Sequence, residues 1–165
     1  MSKQQPTELF MPPNMLKAKV GGTVAGLDMA AITRAEKAMD NLKVEFSDWI
    51  AKDIARLGEV YDAFVADKSA AHAADLFRAS HDLKGQATTF EYPLIARVAS
   101  SLSKLIEELG SADKIPLTLV QAHVEAIHVI HRDKIKDISD LTALTLVEEL
   151  EANVIKTLAR ASHKG

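Results

Sequence analysis

From Ile32 to Leu158 the apolar residues of this chain recur in steps of three and four, and no other feature constrains the fold so tightly. A period of about 3.6 residues places them on one stripe of an α-helix, and that stripe must be covered by another. Ile32, Ala35, Met39, Leu42, Phe46 and Trp49 form the first stripe; Ile50, Ile54, Leu57, Tyr61 and Phe64 continue it, slightly rotated. This predicts one long helix or two collinear ones, with Gly58 as a bend. Arg34, Lys37, Lys43, Glu45, Lys52 and Glu59 take the opposite face.

A second helix opens at Ser69 or Ala70 and carries Leu76, Ala79, Leu83, Ala87 and Phe90 on one face. "EYP", ending at Pro93, closes it, and Pro93 suits the first turn of a third helix. That helix holds Leu94, Ile95, Val98, Leu102, Leu105, Ile106 and Leu109, and stops at "GSADKIP". Pro116 starts a fourth with Leu117, Val120, Val124, Ile127 and His131 in register. A break at "KDISD", with Ser139 as N-cap, precedes a last helix bearing Leu141, Leu144, Val147, Leu150, Val154 and Leu158. Short connections between long amphipathic helices predict an all-α fold, an antiparallel up-and-down four-helix bundle with an N-terminal arm and an additional flanking helix.

The arm is residues 1–30 and the helical domain 31–165. Three of the five prolines and three of the seven glycines fall in the first stretch, and its apolar residues keep no period. Leu9, Phe10, Met11, Met15, Leu16 and Val20 suit either an arm laid along the domain surface or a disordered tail. The absence of Cys excludes disulfide frameworks and thiolate metal sites. A net charge of −3 supplies no basic field for nonspecific nucleic-acid binding. No apolar run approaches the ~18 residues of a membrane span, and no signal-peptide pattern opens the chain. A soluble, cytoplasmic setting is the expectation.

"HDLKG", His81 to Gly85, sits inside the second helix. At ~100° per residue His81 points away from Leu83 and Phe90, so it faces solvent if they face the core. Ala74, Phe77, Arg78, Lys84, Gly85 and Thr88 share its side. The chemistry that wants this set is phosphoryl transfer through histidine. An imidazole, with a free pKa of about 6.5, offers a nucleophilic nitrogen at neutral pH. The transferred group carries dispersed negative charge, so the protein contributes positioning and electrostatics. Lys84 would offset that charge, and Gly85 would leave room for a partner's active site. Ala74, Phe77, Arg78 and Thr88 would form the docking strip.

"SHDLKGQA", Ser80 to Ala87, resembles the motif of histidine-containing phosphotransfer (HPt) domains: His, two residues, Lys, Gly, then small residues. The similarity spans residues from about 45 to 135. It implies a four-helix bundle with the phospho-accepting histidine exposed in the middle of the second helix. It further implies His81 as acceptor at Nε2, Lys84 as phosphate support and Gly85 as clearance. The partners implied are response-regulator receiver domains and a hybrid sensor histidine kinase, in a multistep His–Asp relay of bacterial type. Such a protein is a covalent phosphocarrier without an ATP site or kinase activity. It needs no cofactor of its own, since the Mg²⁺ belongs to the receiver, and it would act as a monomer. Two positions depart from the family pattern: Gln86 follows the motif glycine, and Glu91 stands where a glycine is frequent.

Other readings attach to particular residues. Lys84-Gly85 is also a helix-stop signal, which would leave "QATTF" as loop; Ala87 and Phe90 argue against it by continuing the stripe. A kinase dimerisation helix is excluded by the lack of a following proline before Pro93 and of any glycine-rich ATP site. His123, Glu125, His128 and His131 crowd the fourth helix, and Glu125-x-x-His128 matches half of a di-metal bundle motif. No second Glu-x-x-His accompanies it, so a surface or boundary role is expected for these residues, with no metal. A helical adaptor is the third alternative, because the Ile32–Trp49 seam could pack on another chain as in a coiled coil.

Overall fold

The computed structural model describes residues 25–164. Within them there are five α-helices, one 3-10 turn and no strand: α1 Ala25–Ala66, α2 Ala70–Thr89, α3 Pro93–Leu109, the turn Ala112–Lys114, α4 Leu117–Arg132 and α5 Leu141–Lys164. The all-α expectation holds. Most of the arm read from residues 1–30 lies outside the described residues; its end, residues 25–30, forms the first turns of α1. The chain divides into two compact units, Met1–Glu45 and Phe46–Gly165. The described part of the first is the N-terminal half of α1.

α1 is one helix through Gly58. Its rotated stripe enters the core, with Ile50, Leu57 and Phe64 fully buried and Ile54 nearly so. Gly58 lies where α1 meets α4: a Cβ there would stand 3.7 Å from the His128 ring. The helix gives way at Asp67, and Ser69 caps the next one, its Oγ accepting from the His72 N–H at 3.2 Å.

α2 ends in a Schellman turn. The Tyr92 N–H donates to the Ala87 carbonyl at 2.8 Å while Glu91 adopts the left-handed region at φ 62°. Pro93 then takes the first helical position of α3. α3 is the most enclosed helix: Leu94, Ile95, Val98, Ala99, Leu102 and Leu105 are all fully buried. It packs against α2, α4 and α5, and α4 packs against α5. Each of its large aliphatic side chains contributes about 1.5–3 kcal/mol of apolar burial. Arg97 of α3 is paired with Glu151 of α5, its Nε and Nη2 each donating to one carboxylate oxygen.

Gly110 closes α3 in the left-handed conformation, φ 69°. Lys134 does the same after α4 at φ 53°, where the Ile135 N–H donates to the Ile130 carbonyl at 3.0 Å. The cap of α5 is Asp140, not Ser139: its Oδ1 accepts from the Ala143 N–H at 3.0 Å. Ser139 donates its own N–H to Asp137 Oδ1 at 2.8 Å and belongs to the preceding turn. Two potential caps competed one residue apart, and the acidic one lies closer to the helix.

Candidate functional site

α2 runs four residues past Gly85, to Thr89. "HDLKG" is therefore helix interior, and the helix-stop reading of Lys84-Gly85 does not apply. The inward face is set by Leu76, Leu83 and Ala87, all fully buried. Ser80, beside His81, is buried too, and its hydroxyl bonds the carbonyls of Leu76 (3.0 Å) and Phe77 (2.9 Å). That keeps a buried polar group satisfied within the helix.

On the opposite face His81, Lys84, Gly85, Ala74, Arg78 and Thr88 are exposed, and Phe77 is half-buried. The Phe77 ring lies nearly parallel to the His81 imidazole, centroids 5.8 Å apart and planes 16° from parallel. One turn N-terminal to the histidine, it holds the imidazole against one side. A Cβ added at Gly85 would meet nothing within 4 Å, so the space above the helix there is open. The Thr88 hydroxyl donates back to the Lys84 carbonyl at 2.9 Å. Arg78 pairs loosely with Asp75 at 3.6 Å. All seven residues expected on this strip thus share one face.

Sequence reasoning missed what flanks the strip. A pocket of about 660 Å³ opens beside His81, walled by Phe77, Arg78, Ala73 and Ala74 of α2 and by Ile106 and Ile115 around the end of α3. Lys68, Glu107 and Asp113 stand at its rim, and the Lys68 ammonium donates to the Asp113 carbonyl at 3.3 Å. Ile106, Glu107, Asp113 and Ile115 are remote in sequence from α2, and the turn that ends α3 brings them to it, whereas Lys68 directly precedes the helix. On the other side, burial raises the Asp53 carboxyl of α1 above its usual range, the Asp82 carboxylate adds to the shift and Arg56 opposes it. Asp82 of the motif therefore faces an acidic neighbour. Lys104 of α3, a candidate for reaching the site from the side, is drawn to Glu108 one turn on, at 3.9 Å.

The histidines of α4 do not form a cluster. His123 is completely buried, contrary to the surface or boundary position expected of it. Its Nδ1–H donates to the Leu119 carbonyl at 2.7 Å, which leaves Nε2 to accept from the Ser101 hydroxyl at 3.0 Å. Both ring nitrogens are engaged, and burial holds its pKa below the usual histidine value. His128 is exposed and bonds the Val124 carbonyl at 3.0 Å, while His131 sits 5.9 Å from the Tyr92 ring. Among the described residues no three His, Cys, Asp or Glu side chains are placed to hold a metal ion. None of the α-helices described is long and apolar enough to cross a membrane.

Set beside known proteins, the chain matches no family model, no curated protein and no solved structure.

Proposed function

We propose that this chain is a histidine phosphotransfer protein, relaying a phosphoryl group between receiver-domain aspartates through His81. The observation that carries the reading is the uninterrupted α2 with His81 exposed at its middle, Lys84 one turn on and open space over Gly85. An antiparallel four-helix bundle is part of the same proposal. Its support is that Phe46 of α1 stacks on Phe90 at 4.9 Å while Asp53, further along α1, feels Asp82, earlier on α2. Those two helices therefore run in opposite directions.

In the forward step the Nε2 lone pair of His81 attacks the phosphorus of an aspartyl phosphate. The N–P bond forms as the P–O bond to the aspartate breaks, and the carboxylate leaves with the electron pair. Phosphoryl departure to a second receiver is the reverse. Phe77 fixes the imidazole plane, Lys84 offsets charge on the phosphoryl oxygens, and Gly85 lets the partner's acidic pocket approach. Arg78, Ala74 and Thr88 complete the docking strip. ATP plays no part, and the divalent cation comes with the receiver. Cytoplasmic receiver domains and a hybrid sensor kinase are the partners this chemistry requires.

Incubation with a phosphorylated receiver domain tests the reading. Label should move to this chain as an acid-labile, base-stable adduct, and His81→Ala should abolish it. Transfer that survives in His81→Ala, or no transfer from any of a broad set of receivers, rejects the proposal.

A further inference from the structure

The cavity beside His81 differs in kind from the exposed strip it adjoins. A nucleophile that meets only another protein's surface needs no hollow at its side. Here about 660 Å³ opens next to the imidazole, within the ~300–1,000 Å³ typical of small-molecule sites. The floor is apolar: Ala73, Ile106 and Ile115 belong to the core, and Phe77 is half-buried. We propose that this cavity binds a small amphipathic organic anion, its apolar body on that floor and its carboxylate at Arg78 and His81.

The placement of charge selects both the class of ligand and its direction. Lys68, Arg78, His81, Glu107, Ser111 and Asp113 border the cavity. At the end formed by the turn after α3, three of them satisfy one another. The Ser111 hydroxyl donates to Asp113 Oδ1 at 2.6 Å, and the Lys68 ammonium donates to the Asp113 carbonyl at 3.3 Å. Further along α2, Arg78 and His81 lie one turn apart and offer donors. Arg78 is exposed and makes only a loose contact, 3.6 Å, with Asp75 of its own helix. Its guanidinium fork fits a carboxylate with two hydrogen bonds, and the imidazole adds a ring N–H. Glu107 of α3 repels an anion, which directs the head group to the α2 edge. An alkyl ammonium would have Glu107 as its partner, an exposed carboxylate, and would gain little from it. Every residue used lies between Lys68 and Ile115, and the inference does not rest on phosphotransfer.

Fluorescence titration of the full chain with anilinonaphthalene sulfonate, an apolar ring system with an anionic head, tests the site. The signal should saturate at one probe per chain. Octanoate should displace the probe, and octanol and octylamine should do so roughly tenfold less well. Ala70→Trp and Ala112→Trp would each plug the cavity from its rim, and both should lose the probe. Ala70 is exposed, so its variant should also keep the wild-type melting temperature. Arg78→Gln should weaken octanoate roughly tenfold, and Glu107→Gln should tighten it. Absence of saturable binding, or binding that persists in both plugged variants, overturns the site. Octanol or octylamine displacing the probe as well as octanoate does overturns the anionic class.

Discussion

At the scale of single residues, the α2 strip separates requirements that usually conflict. His81, Lys84 and Gly85 are all exposed, so changing them costs the fold little. His81→Ala should keep the wild-type melting temperature while losing phosphoryl acceptance, and Lys84→Ala should slow transfer without ending it. Gly85→Gln should raise stability by up to about 1 kcal/mol, because a helical glycine is replaced where the added side chain meets nothing. The same variant should slow transfer from a receiver severalfold. A chain stabilised by Gly85→Gln and unimpaired in transfer would show that the glycine is not there for clearance. Phe77 could be found in the sequence only as an aromatic outside the core stripe; its stacking on the imidazole depends on rotamers that periodicity does not specify.

Helix ends are where element-scale predictions belong. Glu91 occupies a left-handed position, φ 62°, that a residue with a Cβ enters at a cost of about 1–2 kcal/mol. Glu91→Gly should therefore stabilise the protein by about 0.5–1 kcal/mol, after the added freedom of the unfolded glycine is counted; chemical denaturation checks it. Removing the α5 cap by Asp140→Ala should cost about 1 kcal/mol, whereas Ser139→Ala should be nearly silent. The apolar period made α2, α3 and the core face of α5 legible, and Pro93 and Pro116 marked two starts within a residue. Choosing between Ser139 and Asp140 required backbone geometry that composition does not carry. Glu91 is the other instructive case. Its place in the sequence looked like a missing glycine, and the structure keeps the conformation a glycine would take, at the expense of strain.

At the scale of the whole molecule, His123 ties the core to pH. Burial holds its pKa below the usual value, with the Leu119 carbonyl and the Glu151 carboxylate opposing the shift. The unfolded chain takes up a proton as pH falls through about 6.5 while the folded chain resists it. Stability from this group is complete above that pH and declines below it. His131 is shifted the same way, first by burial and then by His128 and Lys134. The melting temperature should fall between about pH 7 and about pH 5.5, and His123→Gln should flatten the decline even though it lowers the starting value. An equal slope in the variant would place the pH dependence elsewhere. The burial of His123 was not legible in the sequence, because its Ser101 partner lies on another helix. The exposure of the Ile32–Leu42 stripe was hidden for a similar reason: periodicity says that a face is apolar, not what covers it.

Trp49 is the chain's single tryptophan. It is 48% exposed, 5.7 Å from the Phe46 ring and 6.4 Å from Phe90 at the end of α2. Its fluorescence is thus a native optical probe with a single source. A partner seated on α2 should alter its emission at fixed protein concentration. Docking can thus be followed on the protein as it stands, with no dye attached.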